Sequence, residues 1–274
     1  MKILNQKFGG MISDDCDIKT NKITRISKNY LFFSHGRSAM IWLIQNSNFQ
    51  SCLMCAYTWP AIPDLMKKLN LKINFYDLFE KDIEKKLSEM KGNILLIVYV
   101  FYGFKPWLDL DKISKKFKKK VFILIDSAQT AYGHNDYEIP ENGGILSCPH
   151  KSLSTNDGSV LALSNLNKNL LFKYRKLKRE KNFSLIKSKS RTLLNSNELN
   201  SEKKGILLSK KLEENWQSFP PKKISIKSYK KFRKIDPISH KIERRNNYKY
   251  LYNFMKKNFY HIKYLRLGTP FGYP

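Results

Sequence analysis

Cysteine is scarce in this sequence, with four residues among 274. Four irregularly spaced cysteines are too few for a disulfide framework in a chain of this size, so we expect free thiols. Cys52 and Cys55 form a CxxC pattern inside an apolar run, but neither a second CxxC nor a nearby histidine pair completes a metal site. The pattern therefore predicts buried strand cysteines and no bound metal.

Long apolar runs and nucleotide-binding loops are also missing. No uninterrupted apolar run reaches the roughly 18 to 20 residues that a bilayer requires, and the N-terminus lacks the apolar core of a signal peptide. We therefore expect a cytoplasmic protein without a membrane partner. Neither GxGxxG nor GxxxxGK(S/T) occurs in the sequence, which argues against a dinucleotide enzyme and a P-loop NTPase.

Acidic residues are heavily outnumbered, with 23 Asp and Glu against 51 Lys and Arg, for a formal net charge of +28. A field of this sign attracts polyanions, which suggests a basic nucleic-acid-binding protein as one hypothesis. The lysines, however, are dispersed through nearly every polar stretch, and the aromatic residues lie mainly in apolar runs. We therefore predict no nucleic-acid partner, whereas an anionic small-molecule substrate is compatible with the charge.

Two kinds of segment alternate between about residues 30 and 165. Runs of strand character are separated by stretches in which apolar residues recur every three or four positions. The predicted strands begin near residues 29, 52, 72, 94, 121 and 159, and the predicted helices span 38–45, 62–69, 81–90 and 110–117. This alternation is typical of βαβ units and predicts an α/β fold with a mainly parallel sheet flanked by helices.

Two of the predicted strand ends carry polar residues suited to a ligand. Asp126 ends the strand beginning at 121, so its carboxylate emerges at the carboxyl edge of a parallel sheet, where α/β proteins bind ligands. Arg37 and Ser38 open a helix after the first strand, where free N–H groups and the helix dipole suit a phosphate. A helix cap or a simple turn explains either feature equally well in isolation.

Two further candidates complete the pattern. Trp59 follows the second strand, where an aromatic ring can project over the same sheet edge, although a core or surface aromatic is the commoner arrangement. Lys151 lies in a polar loop between two apolar strands. Pyridoxal 5'-phosphate (PLP) chemistry needs a lysine, an acid, an aromatic face and phosphate donors, and the sequence offers a candidate for each.

The order of these segments resembles the DegT-type sugar aminotransferases, PLP-dependent enzymes of the aspartate aminotransferase fold (fold type I). FSHGRSAM is similar to the family's SGTxAL turn, and LIDSAQTAYG is similar to its IEDxAQAxG segment. SCPHKSLST resembles its SFxxxKxLxT segment. The resemblance covers about residues 30 to 165, and RRNNYKYL and the terminal PFGYP match the family more weakly.

This resemblance implies a role for each candidate near the cofactor ring. Lys151 would be the Schiff-base lysine and the catalytic acid/base, and Asp126 would contact the pyridine nitrogen. Gln129 would lie near the ring hydroxyl, and Trp59 would stack on the ring.

The resemblance also implies the phosphate contacts and the reaction. Arg37 and Ser38 would bind the phosphate, helped by Ser147. Family members move an amino group from glutamate or glutamine to a keto-sugar, commonly linked to a nucleotide, in polysaccharide or antibiotic sugar biosynthesis. They are typically homodimers whose active sites include residues of the partner subunit.

Several departures from the family pattern leave alternatives open. The family's Gly-Gly after the lysine corresponds to Gly158-Ser159, where the backbone would be less permissive. The interval from Ser147 to Lys151 is one residue shorter than in many members, so a slipped alignment would place His150 or Ser152 opposite the lysine. A DegT-like dehydratase or an inactive, truncated homologue is the alternative hypothesis.

Beyond residue 165 the sequence changes character. A basic helical stretch at 166–181 leads into a passage rich in Ser, Asn and Lys, and another helical pattern covers 240–258. We divide the chain into a PLP-binding large domain at 1–175, a divergent linking region at 176–235 and a partial C-terminal small domain at 236–274. The last of these predicts a truncated member of its family.

Overall fold

The computed structural model describes residues 29–80, 82–101, 106, 108–130, 137–153, 155–196, 200–215, 220–235, 242–247, 249, 250 and 253. Within these ranges seven strands form a single sheet. The strands are β1 (Tyr30–Phe33), β2 (Ser51–Cys55), β3 (Lys72–Tyr76), β4 (Ile94–Tyr99), β5 (Val121–Ser127), β6 (Gly143–Ser147) and β7 (Ser159–Leu163).

Eight helices lie between residues 29 and 235 in the described part of the chain. They are α1 (Gly36–Gln45), α2 (Ala61–Lys68), α3 (Ile83–Glu89), α4 (Leu110–Lys116), α5 (Lys168–Lys176), α6 (Asn182–Asn195), α7 (Ser201–Asn215) and α8 (Ile226–Lys234). A short 3-10 turn at Pro149–Lys151 carries the candidate lysine.

The sheet has the strand order β1-β7-β6-β5-β4-β2-β3. The strands from β2 to β6 pair in parallel, whereas β7 runs antiparallel to both β6 and β1. The prediction of an α/β fold with a mainly parallel sheet is therefore confirmed. The two antiparallel pairs place β1 beside the end of the loop that carries Lys151.

The central strands are buried on both faces because helices cover each side. One apolar cluster packs α1 and α2 against the sheet through Trp42 and Met66, and the other packs α3 and α4 through Leu87 and Ile113. Strands covered by helices on both faces have continuous apolar sequences, which explains why their positions could be predicted. Cys52 and Cys55 are buried free thiols in β2, as predicted.

The exposed edge of β1 is covered by a segment from the region at 176–235. Ile224 donates its backbone N–H to the carbonyl of Phe32 (3.2 Å), and Ser34 donates to the carbonyl of Lys222 (3.0 Å). Phe32 also packs with Ile224 and Phe232 in a third apolar cluster. This segment therefore satisfies edge groups of β1 that would otherwise face solvent.

Helices α6 and α7 form an antiparallel pair beside the sheet. Ser190 Oγ donates to the carbonyl of Gly205 (2.9 Å) and lies 2.7 Å from Ser209 Oγ. A Cβ at position 205 would lie 2.8 Å from Leu194 Cγ, so the close approach requires glycine.

The predicted helix at 240–258 is described only in part. Residues 242–247 are helical, and the terminal PFGYP lies outside the described residues. Among the residues described, no helix combines the length and apolarity needed to cross a bilayer.

Candidate active site

A cavity of about 670 Å³ opens at the carboxyl ends of the parallel strands and the N-terminus of α1. Five of the predicted site residues line its wall: Arg37, Trp59, Asp126, Gln129 and Lys151. The loops after β2, β4, β5 and β6 contribute to this wall, as expected for a ligand site in an α/β fold. Segments far apart in sequence therefore meet around one space.

Ser38 and Ser147 do not line this cavity. Ser38 Oγ accepts from the backbone N–H of Lys222 (2.7 Å) and lies 3.2 Å from its carbonyl oxygen. Ser147 is fully buried within β6. The roles that the resemblance implies for these two residues in phosphate binding stay predictions.

Asp126 is held at the end of β5 with its carboxylate at the cavity wall. The side chain is 8% exposed, and its Oδ1 accepts the backbone N–H of Ala128 (2.9 Å). Burial raises the pKa of Asp126, while the Ala128 N–H and the charge of Lys151 act in the opposite direction. A cationic or protonated ligand group beside the carboxylate would stabilise its ionised form.

Lys151 is the exposed residue of a tightly held turn. Its backbone N–H donates to the carbonyl of Cys148 (3.0 Å). The neighbouring His150 is buried, and its Nδ1 lies 2.6 Å from the carbonyl oxygen of Gly158. Ser152 is also buried, and its hydroxyl donates to the carbonyl of Pro149 (3.3 Å). Of the three residues considered for the lysine position, Lys151 has its side chain at the solvent side of the turn.

Gly158 and Ser159 differ in backbone conformation. Gly158 has a φ of +135°, a conformation that favours glycine, and its N–H donates to the carbonyl of Ser34 (2.7 Å). Ser159 begins β7 in extended conformation. Serine in place of a second glycine is therefore compatible with the backbone, and the departure does not disturb the loop.

The loop that carries Lys151 is clamped by residues from much later in the chain. Arg191 on α6 is 2% exposed and donates to the carbonyls of Thr155 (2.9 Å) and His150 (3.1 Å). The carboxylate of Asp157 accepts both the backbone N–H (2.7 Å) and the hydroxyl (2.6 Å) of Ser225. These contacts fix the loop from two sides.

Two residues that line the cavity, His35 and Lys187, were not among the predicted site residues. His35 is the N-cap of α1, where Nδ1 accepts the backbone N–H of Ser38 (3.1 Å). Burial, together with the charges of Arg37, Lys187 and Lys222, lowers the pKa of His35 to about 3. Lys187 on α6 also lines the cavity. No motif marks Lys187 among 51 basic residues, and only its position in the fold distinguishes it.

Aromatic side chains form one rim of the cavity. Tyr57 and Trp59 are 66% and 67% exposed, respectively, and Tyr57 packs against Phe101 with ring centroids 5.6 Å apart. Exposed rings at the rim of a cavity can stack on a flat ligand. Stacking of Trp59 on a cofactor stays a prediction.

Taken together, the fold and the cavity define a class of site. An amine, a buried carboxylate, a cationic helix N-terminus and an aromatic rim surround one space in an α/β protein. Such a donor set suits a flat, anionic ligand, and the amine can react with a carbonyl carbon.

Comparisons with known proteins show similarity to solved structures alone. No protein-family model matches the chain, and no curated protein matches it in sequence. The chain is similar to a proposed PLP-dependent aminotransferase from Bacillus cereus, with 14% identity and a TM-score of 0.49 over 88% of this chain and 64% of that one.

Two other solved structures are similar over about half of this chain. An amino transferase from Eubacterium rectale has 12% identity and a TM-score of 0.42, over 55% of this chain and 46% of that one. The L-threonine-O-3-phosphate decarboxylase from Porphyromonas gingivalis has 11% identity and a TM-score of 0.41, over 54% and 47%. This chain spans less than two thirds of the length of each of the three. Similarities of this degree assign neither an activity nor a residue role to it.

Proposed function

We propose that this protein is a PLP-dependent aminotransferase that moves an amino group from glutamate or glutamine to a keto-sugar, as DegT-type sugar aminotransferases do. The observation that carries the proposal is the meeting of Lys151, Asp126 and Arg37 around one cavity. These residues lie on three separate segments, and each is of the type that PLP chemistry requires.

The residues present fit this cofactor. Arg37 at the first turn of α1 supplies a cation for the phosphate, and the buried Asp126 supplies a carboxylate for the pyridine nitrogen. A volume of about 670 Å³ lies within the usual range for small-molecule sites. When bound, PLP supplies an electron sink for the bonds around the amino-bearing carbon.

Each wall residue then has a defined task. Lys151 would hold the cofactor's aldehyde carbon through Nζ and afterwards move a proton at that nitrogen. Asp126 would keep a proton on the pyridine nitrogen through a charge-assisted hydrogen bond. Gln129 would orient the ring hydroxyl, and Trp59 would cover one ring face.

The sugar substrate follows from the resemblance in the segments between about residues 30 and 165. We propose that the sugar is linked to a nucleotide, since the excess of positive charge is compatible with a phosphate-bearing substrate. We further propose a homodimer, whose mass in solution can be measured by light scattering.

A covalent trapping experiment tests the cofactor assignment. Full-length protein mixed with PLP should develop a visible absorption band, and borohydride reduction should add the cofactor's mass to the peptide containing Lys151. Lys151→Ala should lose both signals, whereas Lys189→Ala, at an exposed position of α6, should keep them. A wild-type protein that stays colourless, or an adduct on another lysine, would contradict the proposal.

A further inference from the structure

Lys187 is a second lysine at the cavity wall, and the proposed reaction does not use it. It lies on α6 one helical turn before Arg191. Residues four apart share a helix face, and Arg191 donates to two carbonyls of the loop that carries Lys151. That face of α6 is therefore turned toward the lysine loop, which brings Lys187 to the cavity.

The described wall of the cavity carries an excess of positive charge. Three basic side chains line it, from Arg37, Lys151 and Lys187, against the single carboxylate of Asp126. The two histidines at the wall add no charge near neutral pH, because burial lowers the pKa of each. Such a cavity favours a ligand with two negative charges.

Lys187 and Arg37 line the cavity together with His35 and Gly36, the N-cap and the first residue of α1. The charges of both also lower the pKa of His35. The positive end of the helix dipole adds to their field. Burial, with help from Arg191 and Lys151, lowers the pKa of Lys187 to about 7, and a bound anion would relieve the repulsion.

We propose that Lys187 is a ligand for a phosphate monoester and forms, with Arg37, the phosphate subsite beside the first turn of α1. This inference rests on the proposed function, in which the monoester is the phosphate of PLP. Ser38 and Ser147 are not among the residues that line the cavity, and the inference about Lys187 does not depend on them.

Binding measurements on the full chain test the inference with three probes: inorganic phosphate, PLP and pyridoxal, which lacks the phosphate. Lys187→Gln should weaken binding of inorganic phosphate and PLP about tenfold, the value of one charge-assisted hydrogen bond. Its binding of pyridoxal should stay within about twofold of wild type. Lys187→Arg should retain most of the affinity, and Lys189→Gln, exposed on the same helix, should match wild type.

The probes separate failure of the inference from failure of the proposed function. Equal losses for PLP and pyridoxal in Lys187→Gln, or unchanged binding of phosphate, would overturn the role of Lys187. A wild-type protein that binds phosphate through Lys187 but forms no adduct with PLP would support the subsite while refuting the cofactor.

A second measurement uses the wild-type protein and does not depend on the folding of the glutamine variant. Sulfate keeps its charge at neutral and alkaline pH, so its affinity should fall as pH rises through about 7, where Lys187 loses its proton. Lys187→Arg should show a smaller decline, because arginine stays charged. Equal declines in both proteins, or no decline in wild type, would contradict the inference.

Other charged groups near Lys187 should not produce this difference. The pKa of Cys148 is raised to about 11 and the pKa values of His35 and His150 are lowered, so these three stay neutral in the range measured. The remaining neighbours are common to both proteins: Arg37, Lys151, Asp157 and Arg191.

Discussion

His35 lies where β1 ends and α1 begins, and its neutral imidazole is part of the structure. Nδ1 accepts the Ser38 N–H at 3.1 Å, which requires that this nitrogen carry no proton. Burial and nearby cations hold its pKa at about 3, below the 6.5 of an unperturbed histidine. Acid must therefore unfold or rearrange this turn before His35 takes up a proton.

The pH dependence of stability follows from that depressed pKa. Between about pH 3 and 6.5 the unfolded chain binds the His35 proton and the folded chain does not, so stability falls as pH decreases through this window. His35→Asn keeps an N-cap acceptor without the titration. We expect its free energy of unfolding to fall less steeply with acid, by up to about 1.4 kcal/mol per pH unit.

Urea denaturation at pH 4, 5, 6, 7.5 and 8.5 measures this effect. The two proteins should have parallel profiles above pH 7, where neither state binds the proton, and the comparison there serves as the control. Identical slopes below pH 6 would contradict the assigned role of His35.

At the scale of elements, the loop between β6 and β7 depends on contacts from three directions. Arg191 donates to two of its carbonyls from α6, and Ser225, the N-cap of α8, binds the carboxylate of Asp157. Arg244 Nη2 lies 3.5 Å from the carbonyl oxygen of Ser152. The loop that carries Lys151 is therefore held in place by helices and residues that follow it in the sequence.

Gly158 is the backbone position on which this loop turns. Gly158→Ala should lower the free energy of unfolding by about 1 to 3 kcal/mol, the usual cost of an L-residue in such a conformation. The added Cβ would also lie 2.9 Å from Ile224 Cδ1, which covers the β1 edge. Thermal or chemical denaturation of the full chain measures the change.

Ser159→Ala is the matched control at the adjacent position. The Ser159 hydroxyl is buried without a hydrogen-bond partner in the described part of the chain, so its removal should leave stability unchanged or slightly higher. A loss in Ser159→Ala as large as that in Gly158→Ala would show that the loop responds to any substitution, and would contradict the role given to the backbone conformation of Gly158.

For the molecule as a whole, the formal charge of +28 dominates the electrostatics. Like charges on a compact protein repel each other, which favours the expanded, unfolded chain. Ion pairs such as Lys112 and Lys116 with Glu84 relieve this repulsion locally, but they involve few of the 51 basic residues.

Salt should therefore stabilise this protein. The screening length shortens from about 30 Å at 0.01 M salt to about 10 Å at 0.1 M, which weakens the repulsion between distant charges. We expect the melting temperature to rise as sodium chloride is raised across this range, as measured by scanning fluorimetry. Sodium sulfate at equal ionic strength serves to separate specific anion binding, and a falling melting temperature in chloride would contradict the prediction.

Much of the sheet was predictable because its strands are enclosed on both faces. Such strands leave continuous apolar runs, and β2, β4 and β5 were located within a few residues of their observed bounds. The antiparallel pairing of β7 with β1 was not predictable, because strand partners far apart in sequence leave no local signal. The pairing of Lys223 with Phe33 at the edge of β1 was not predictable for the same reason.

In the candidate site, too, local features were predictable from the sequence and long-range contacts were not. Asp126 was accessible to sequence reasoning because it lies at the end of a recognisable apolar strand, and parallel strands end at a common edge. Lys151 was proposed from the order of the segments that resemble the DegT family, since the strand before it, β6, was not predicted. The role of Ser38 in phosphate binding stays a prediction, and the fold pairs its hydroxyl with the backbone of Lys222. A contact across 184 residues cannot be inferred from the local pattern.

The sequence by itself determined the alternation of strands and helices and the polar residues at the strand ends, because hydrophobic periodicity and turn chemistry are local properties. Only the tertiary structure decided which of those residues reach the cavity. It also brought Lys187 and Arg191 to the lysine loop, since long-range packing of α6 sets where its side chains point.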